Sequence, residues 1–334
     1  MVQDYRISAL KAWAKDISSI DLEPYLSSFE KSNPWFTAEN IDWAIRGVLR
    51  YLKEDHLDEW KLRYTNYSST QKIIGVIMAG NLPLVGIHDF ICVFASGHHI
   101  RMKLSHQDQL LLPLLLDKLD PEYQQKGIIQ IVEELHPNDI DAIIATGSDN
   151  TTRYIKYHFG SIPSIIRGNR SSIAILNGKE TQEQLSALGN DVFTYFGRGC
   201  RNVSKLMVPV DYDLHEFSSC NRRFQELNKH QKYFNNYRYQ KSLLGTENKG
   251  FIDAGYTLLV RNESVVSPLG VIHYQEYKDL EQLDVLISLQ QDKIQCIASA
   301  EQWYRNSLDF GTLQEPNLWD YSDNLDTMKF LCSL

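Results

Sequence analysis

The alternation of short apolar runs with amphipathic stretches between Lys72 and Leu176 constrains this chain most. Runs at 73–79, 99–104, 128–132, 142–145 and 172–176 have strand length, while the stretches at 87–96, 107–119, 150–159 and 180–196 have helical length and patterning. Strands separated by helices predict an α/β fold with a largely parallel sheet covered on both faces. Ligands of such sheets bind beyond the carboxyl ends of the strands, which directs attention to the loops AGNLPLVG (79–86) and ATGSDN (145–150).

Upstream, residues 2–64 read as helical and aromatic-rich. Ile41, Ala44, Ile45, Val48, Leu49 and Leu52 lie on one helical stripe behind an N-cap at Thr37, and Trp35, Trp43 and Trp60 read as packing residues. Downstream of Asn177, helices are expected at 211–227 and 230–244 and strands at 256–260 and 265–273. Near the end, Trp319, Tyr321, Leu325, Met328, Phe330 and Leu331 call for burial. A length of 334 residues suits two domains, drawn here as 1–177 and 178–334.

Composition excludes several classes. Lys and Arg number 34 against 42 Asp and Glu, a formal charge of −8, with no basic block interleaved with aromatics, so no nucleic-acid partner is expected. Five cysteines without a C-x-x-C pair argue against a disulfide framework, and with no H-x-x-x-H helix spacing no metal site is expected. Apolar runs such as 110–116 fall far short of the roughly 20 residues of a membrane span, and the acidic N-terminus lacks a signal-peptide pattern, so a cytoplasmic chain is expected.

Chemistry concentrates in a few places. Cys200 follows Gly197 and Gly199 and is flanked by Arg198 and Arg201, a setting that favours a reactive thiolate. Composition alone leaves a buried structural cysteine as the alternative; Cys92, among apolar helix positions, exemplifies it. Asn81 follows a strand and suits either an oxyanion donor or a turn residue. The 145–153 stretch reads as a strand, a Gly turn and a helix start that suits phosphate. It matches neither G-x-x-x-x-G-K-[ST] nor G-x-G-x-x-G, and the chain has no G-x-S-x-G elbow.

Taken in order, GNLPLVG, KLSHQD, ATGSDNTTRY, IIRGNRSSIAIL, YFGRGCRNVSKLMVP and SPLGVIHY resemble the successive blocks of the aldehyde dehydrogenase superfamily. More closely, GIHDF, RGNRSS, GCRNVSKL and the terminal LWDYSDNLDTMKFL resemble the luminescence-type acyl-CoA reductases, the LuxC family; the resemblance spans residues 73–334. It implies a Rossmann-type parallel-sheet cofactor domain, with the N-terminal helices, over 1–177. An α/β catalytic domain carrying the nucleophile and the tail follows over 178–334, with Cys200 at a cleft between the two. By this resemblance Cys200 is the catalytic nucleophile and Asn81 an oxyanion donor. Lys103 and Ser105 hold the adenosine ribose or its phosphate, Gly147 and Ser148 flank the pyrophosphate, and Pro268 with Gly270 lies near the nicotinamide.

Two departures from the superfamily pattern refine the expectation. Three positions after the lysine, where an acidic residue binds ribose hydroxyls in hydrolytic relatives, this chain has His106; a 2′-phosphate is then not repelled, which favours NADP(H). The E-L-G-G block that supplies a water-activating base is replaced by RGNRSSIAIL, with no carboxylate from Arg167 to Leu176. Hydride can resolve a thioester without that base. The resemblance therefore implies reduction of an acyl-CoA or acyl-carrier thioester, fatty acyl by family, to the aldehyde. Partners left open are a homo-oligomer or an acyl-donor protein. The alternatives are acyl transfer or thioester hydrolysis at the same cysteine, and a non-catalytic cofactor- or partner-binding module.

Overall fold

The structure, a computed structural model, describes residues 2–64, 70–147 and 149–334. In chain order, four helices come first: α1 (Val2–Ser18), α2 (Glu23–Ser32), α3 (Ala38–Tyr51) and α4 (Glu54–Leu62). Strands and helices then alternate through β1 (Ile73–Ile77), α5 (Ile87–Ser96), β2 (His99–Lys103), α6 (Leu111–Leu116), α7 (Glu122–Gln125), β3 (Ile129–Ile131), β4 (Ala142–Thr146), α8 (Asp149–Phe159) and β5 (Ser164–Arg167). The second half runs β6 (Ser171–Ile175), α9 (Gln182–Phe193), β7 (Val203–Pro209), α10 (Leu214–Cys220), α11 (Gln231–Thr246), β8 (Ile252–Asp253) and β9 (Leu258–Arg261). It closes with β10 (Val271–Tyr277), α12 (Leu280–Ser288), β11 (Ile294–Ala298) and α13 (Thr327–Cys332). Among the described residues no helix is long and apolar enough to cross a membrane.

Two compact units result: residues 1–169 with 316–334, and residues 170–315. The boundary expected at 177/178, with the tail in the second half, is not the one observed. In the structure the run at 172–176 forms β6, which hydrogen-bonds to β7 and β11 of the second sheet, and the tail packs into the first unit.

In the first unit all strands run parallel in the order β3-β2-β1-β4-β5. Alternate residues of the central strands face opposite ways. Ile74, Val76, Ile100, Met102 and Ile144 join the core beneath α5 and the N-terminal helices, while Ile143 and Ala145 pack with Ile155 and Phe159 of α8. Both faces are covered, as parallel sheets require.

Local signals account for much of this. Thr37 caps α3 by accepting the Asn40 N–H at 3.3 Å, and Ile41, Ala44 and Val48 bury the stripe expected of them. At the far end of α5, Gly97 takes the left-handed conformation (φ 94°). Buried Arg6 of α1 donates to the carbonyls of Phe94 and His98 (3.1 Å each) and Gly97 (3.2 Å), so it caps α5 from another helix. Burial pushes that guanidinium down to about 10, still charged at neutral pH.

The tail returns to the same core. Trp60 Nε1 donates to Tyr321 Oη at 2.7 Å, Tyr64 Oη lies 2.7 Å from Tyr321 Oη, and His98 Nε2 lies 3.0 Å from the Leu331 carbonyl. Tyr321, Met328 and Leu331 are buried; Leu325, which follows a turn through Asp323 and Asn324 with positive φ, is exposed.

The second unit has the order β11-β6-β7-β10-β9-β8, parallel except for β8 against β9. Two expected elements shifted. The strand drawn at 265–273 begins only at Val271, since Pro268 and Gly270 (φ 82°) form a turn in which Val271 N–H donates to the Pro268 carbonyl at 3.0 Å. The helix drawn at 211–227 is α10 followed by a 3₁₀ segment, Arg222–Lys229. The break falls at buried Asn221, whose amide donates to the carbonyls of Leu185 (3.0 Å) and Phe217 (2.9 Å).

Candidate active site

The nucleophile candidate sits on a turn that α9 delivers to β7. A capping box starts α9: Thr181 Oγ1 accepts the Gln184 N–H (3.3 Å) and Gln184 Oε1 accepts the Thr181 N–H (2.8 Å). The helix ends at Phe193, short of the expected 196, because Tyr195 (φ 56°), Phe196 (φ 61°) and Gly197 (φ 72°) are left-handed in succession. Two of the three carry a Cβ, a conformation costing roughly 1–2 kcal/mol per residue, and such strain concentrates at functional sites. Phe196 packs on the His230 ring with centroids 4.4 Å apart.

Beyond this turn Cys200 is exposed and Cys92 is buried; none of the five cysteines is in a disulfide. The Cys200 carbonyl accepts the Ser172 hydroxyl of β6 at 3.1 Å. The buried Asn202 side chain accepts the Gly199 N–H at 2.8 Å. Of the flanking arginines, burial pushes Arg198 down to about 10, and Arg201 donates to Cys296 Sγ at 3.5 Å. Burial raises the Cys92 thiol well above its ordinary value, and its sulfur lies 3.8 Å from His88 Nδ1. The two cysteines thus differ in exposure, and Cys92 carries the marks of an inert thiol.

In the first unit the candidate cofactor residues converge on the carboxyl ends of β1, β2 and β4. The strand order reverses direction between β1 and β4, the switch point where doubly wound sheets place ligands. Ile77 pairs with Lys103, so the loops after β1 and β2 lie side by side. They touch closely: a Cβ on Gly80 would fall 2.5 Å from Ser105 Oγ. Asn81 is half-buried in the first of these loops. Gly147 follows β4 and donates its N–H to the Arg167 carbonyl at 3.2 Å; a Cβ there would meet Thr151 Cγ2 at 2.7 Å. Ser148 lies outside the described residues.

Sequence reasoning missed the residues that hold the Asn81 loop. Buried Asp108 accepts the N–H of Leu84 (φ 56°) at 2.9 Å, and burial pushes its carboxyl up to about 6. Asn33 donates to the carbonyls of Gln107 (3.2 Å) and Gly80 (3.5 Å). The helix expected at 107–119 is shorter, running Leu111–Leu116. His106 is exposed.

In the second unit, Pro268 is exposed and Gly270 buried, where a Cβ would lie 2.9 Å from Tyr237 Cα of α11. At 270 the close approach of Tyr237 leaves room only for glycine. The RGNRSS block is likewise structural at its start: Arg167 is buried against Asp89.

The sequence matches the profile of the acyl-CoA reductase (LuxC) family over residues 8–302. The chain belongs to that family. As a LuxC-family member it is an enzyme of the acyl-CoA reductase class, acting on acyl or aldehyde substrates. A comparison with curated proteins returned no match. The fold is that of aldehyde dehydrogenases. An aldehyde dehydrogenase of Bacillus cereus, solved with NAD+, is 14% identical with a TM-score of 0.64 over 90% of this chain and 72% of its own. Betaine aldehyde dehydrogenase of Staphylococcus aureus, also with NAD+, is 12% identical with a TM-score of 0.64 over 93% and 72%. Aldehyde dehydrogenase C of Pseudomonas syringae, complexed with NAD+ and octanal, is 12% identical with a TM-score of 0.62 over 90% and 72%. The LuxC-family chain thus keeps the α/β architecture at low identity.

Proposed function

We propose that this enzyme reduces an acyl thioester, CoA-bound or carrier-bound, to the aldehyde with NADPH through a covalent thioester on Cys200. The observation that carries the reading is an exposed cysteine just beyond a strained, glycine-flanked turn, in a chain that matches the acyl-CoA reductase family over residues 8–302.

The cofactor assignment rests on the switch point. Closely packed strand-end loops that demand glycine at 80 and 147, with Lys103 closing β2, suit a phosphate-bearing dinucleotide, and similar folds have been solved with NAD+. Lys103, Ser105, Gly147 and Ser148 are assigned its adenosine and pyrophosphate, and Pro268 with Gly270 its nicotinamide end. NADP(H) is favoured because His106 is exposed where a ribose-binding acid would stand, while Asp108 turns inward to Leu84. When bound, the reduced nicotinamide supplies hydride to the acyl carbon.

The protein's own part runs as follows. The Cys200 thiolate forms a bond to the thioester carbonyl carbon, and the oxygen takes up the electron pair as an oxyanion. Asn81 and the backbone N–H at Cys200 are assigned its stabilisation. Collapse of this adduct expels the donor thiolate, which takes a proton, and leaves the acyl group on Cys200. After reduction the hemithioacetal oxyanion collapses, releasing aldehyde and the Cys200 thiolate. The Arg167–Leu176 stretch contributes no carboxylate to activate water, so the acyl-enzyme is expected to wait for reductant.

Intact-protein mass spectrometry after exposure to a panel of acyl-CoAs tests the nucleophile. One acyl adduct is expected, present in Cys92→Ala and absent from Cys200→Ala. An adduct that survives Cys200→Ala would overturn the assignment.

A further inference from the structure

We infer that Asn202 is the positioning residue of the nucleophile: its buried side chain and its own backbone N–H together hold Gly199 beside Cys200, and the side chain joins this turn to the end of α9. The inference rests on the reading of Cys200 given above.

Asn202 is 1% exposed. The two hydrogens of its amide nitrogen are shared among the carbonyls of Asp191 (3.0 Å), Val192 (3.3 Å) and Thr194 (2.9 Å). These are among the carbonyls that a helix end leaves without intrahelical partners. Its amide oxygen accepts the Gly199 N–H at 2.8 Å, and its own backbone N–H returns to the Gly199 carbonyl at 3.1 Å. Both polar groups of Gly199 are thereby bound to the same residue three positions later. Between these anchors only Cys200 and Arg201 project. The Asn202 carbonyl is fixed to the sheet in turn, accepting Ser171 Oγ at 3.1 Å and the Ser172 N–H at 3.1 Å.

The chemistry of the side chain matters. It must accept from one backbone N–H while donating to several backbone carbonyls, which an amide does and a carboxylate, an acceptor only, does not. Asp191 extends the connection, since its carboxylate accepts the N–H groups of Gly311 (2.6 Å) and Leu313 (2.9 Å) while its carbonyl holds Asn202. The left-handed Tyr195 and Phe196 lie within the segment that these bonds close. Without Asn202 the turn has a route to relax, and the thiol loses its fixed direction. Small displacements of a reacting atom cost about 10²-fold in rate.

The experiment compares the full chain with Asn202→Ala and Asn202→Ser in single-turnover acylation at saturating acyl-CoA, with burst amplitude and rate constant recorded separately. Positioning predicts an amplitude matching the folded protein, an acylation rate constant lowered at least 10-fold, and NADPH binding within twofold of the unmodified chain. A purely structural role would lower the amplitude and leave the rate constant of the surviving molecules unchanged, which would overturn the inference. Iodoacetamide alkylation of Cys200, which needs no substrate, separates the two claims. If the unmodified chain shows no acylation, the function reading fails, while an unchanged alkylation rate in the variants would sink the role of Asn202. Should both variants fail to fold, hydrogen exchange in the unmodified chain decides. The Gly199 amide should exchange at least 100-fold slower than its intrinsic rate, and exchange at the intrinsic rate would contradict the inference.

Discussion

Arg167 and Asp89 form a buried ion pair in which one guanidinium nitrogen meets both carboxylate oxygens, at 2.8 and 2.7 Å, while the other donates to Thr327 Oγ1 at 2.8 Å. Burial opposes the charge on Arg167, yet the Asp89 carboxylate holds its pKa above the ordinary value. The pair ties β5 to α5 and, through Thr327, to the returning tail. Arg167, which opens the RGNRSS block, thus fastens the first unit together.

Breaking that pair leaves a charge buried without its partner. Arg167→Leu is therefore expected to destabilise the fold by about 3–5 kcal/mol, and Arg167→Leu with Asp89→Leu to recover part of the loss. Urea midpoints of the two variants check this. A single variant within about 1 kcal/mol of the unmodified chain would show that the pair is hydrated or dispensable.

Much of the first sheet was legible in the sequence because period and punctuation agreed there. Thr37, the stripe from Ile41 and the strands around Ile74, Ile100 and Ile143 each obey a local rule. The second sheet was harder to read. Strand β7 carries Lys205, 1% exposed, beside the apolar Leu206–Val208; its ammonium donates to Gln275 Oε1 at 2.6 Å and to the Glu263 carbonyl. Such a lysine reads as a surface residue until its tertiary partners are known. Asn33, Asp108 and Asn202 were missed for the same reason: in sequence they are loop polar residues, and only packing shows that each holds a backbone turn. Cys200 could be found because glycine and arginine at its flanks are themselves chemical signals.

Asn81 and Lys103 should fail differently. If Asn81 is the oxyanion donor proposed above, Asn81→Ala is expected to lower turnover by about 10²–10³ at saturating substrate. Under the proposed cofactor assignment, Lys103→Ala should raise the apparent NADPH constant with a much smaller change at saturation. Steady-state kinetics with each component varied distinguishes the two. Equal losses at limiting and saturating NADPH in Lys103→Ala would remove that residue from the cofactor site.

Asp191 gives a pH signature. Burial pushes its carboxyl up to about 7, against the backbone N–H groups of Gly311 and Leu313 that lower it, with nearby Asp309 raising it further. The folded chain then binds more protons than the unfolded chain between about pH 4 and 7. Its contribution to stability is fully present below the unfolded pKa and is lost as pH rises through about 7. Asp191→Asn should remove this part of the pH dependence, which urea midpoints at several pH values between 5 and 7 would reveal. Identical slopes in variant and unmodified chain would show that Asp191 does not titrate there.

The central claim is that Cys200 holds an acyl group which water does not release and reductant does. Its most direct test follows the fate of radiolabelled acyl-CoA incubated with the enzyme, with and without NADPH. Protein-bound label should accumulate without cofactor, and aldehyde should form only when cofactor is added, with the bound label discharged in step. Rapid release of free fatty acid in the absence of NADPH would contradict the account and make the chain a thioesterase.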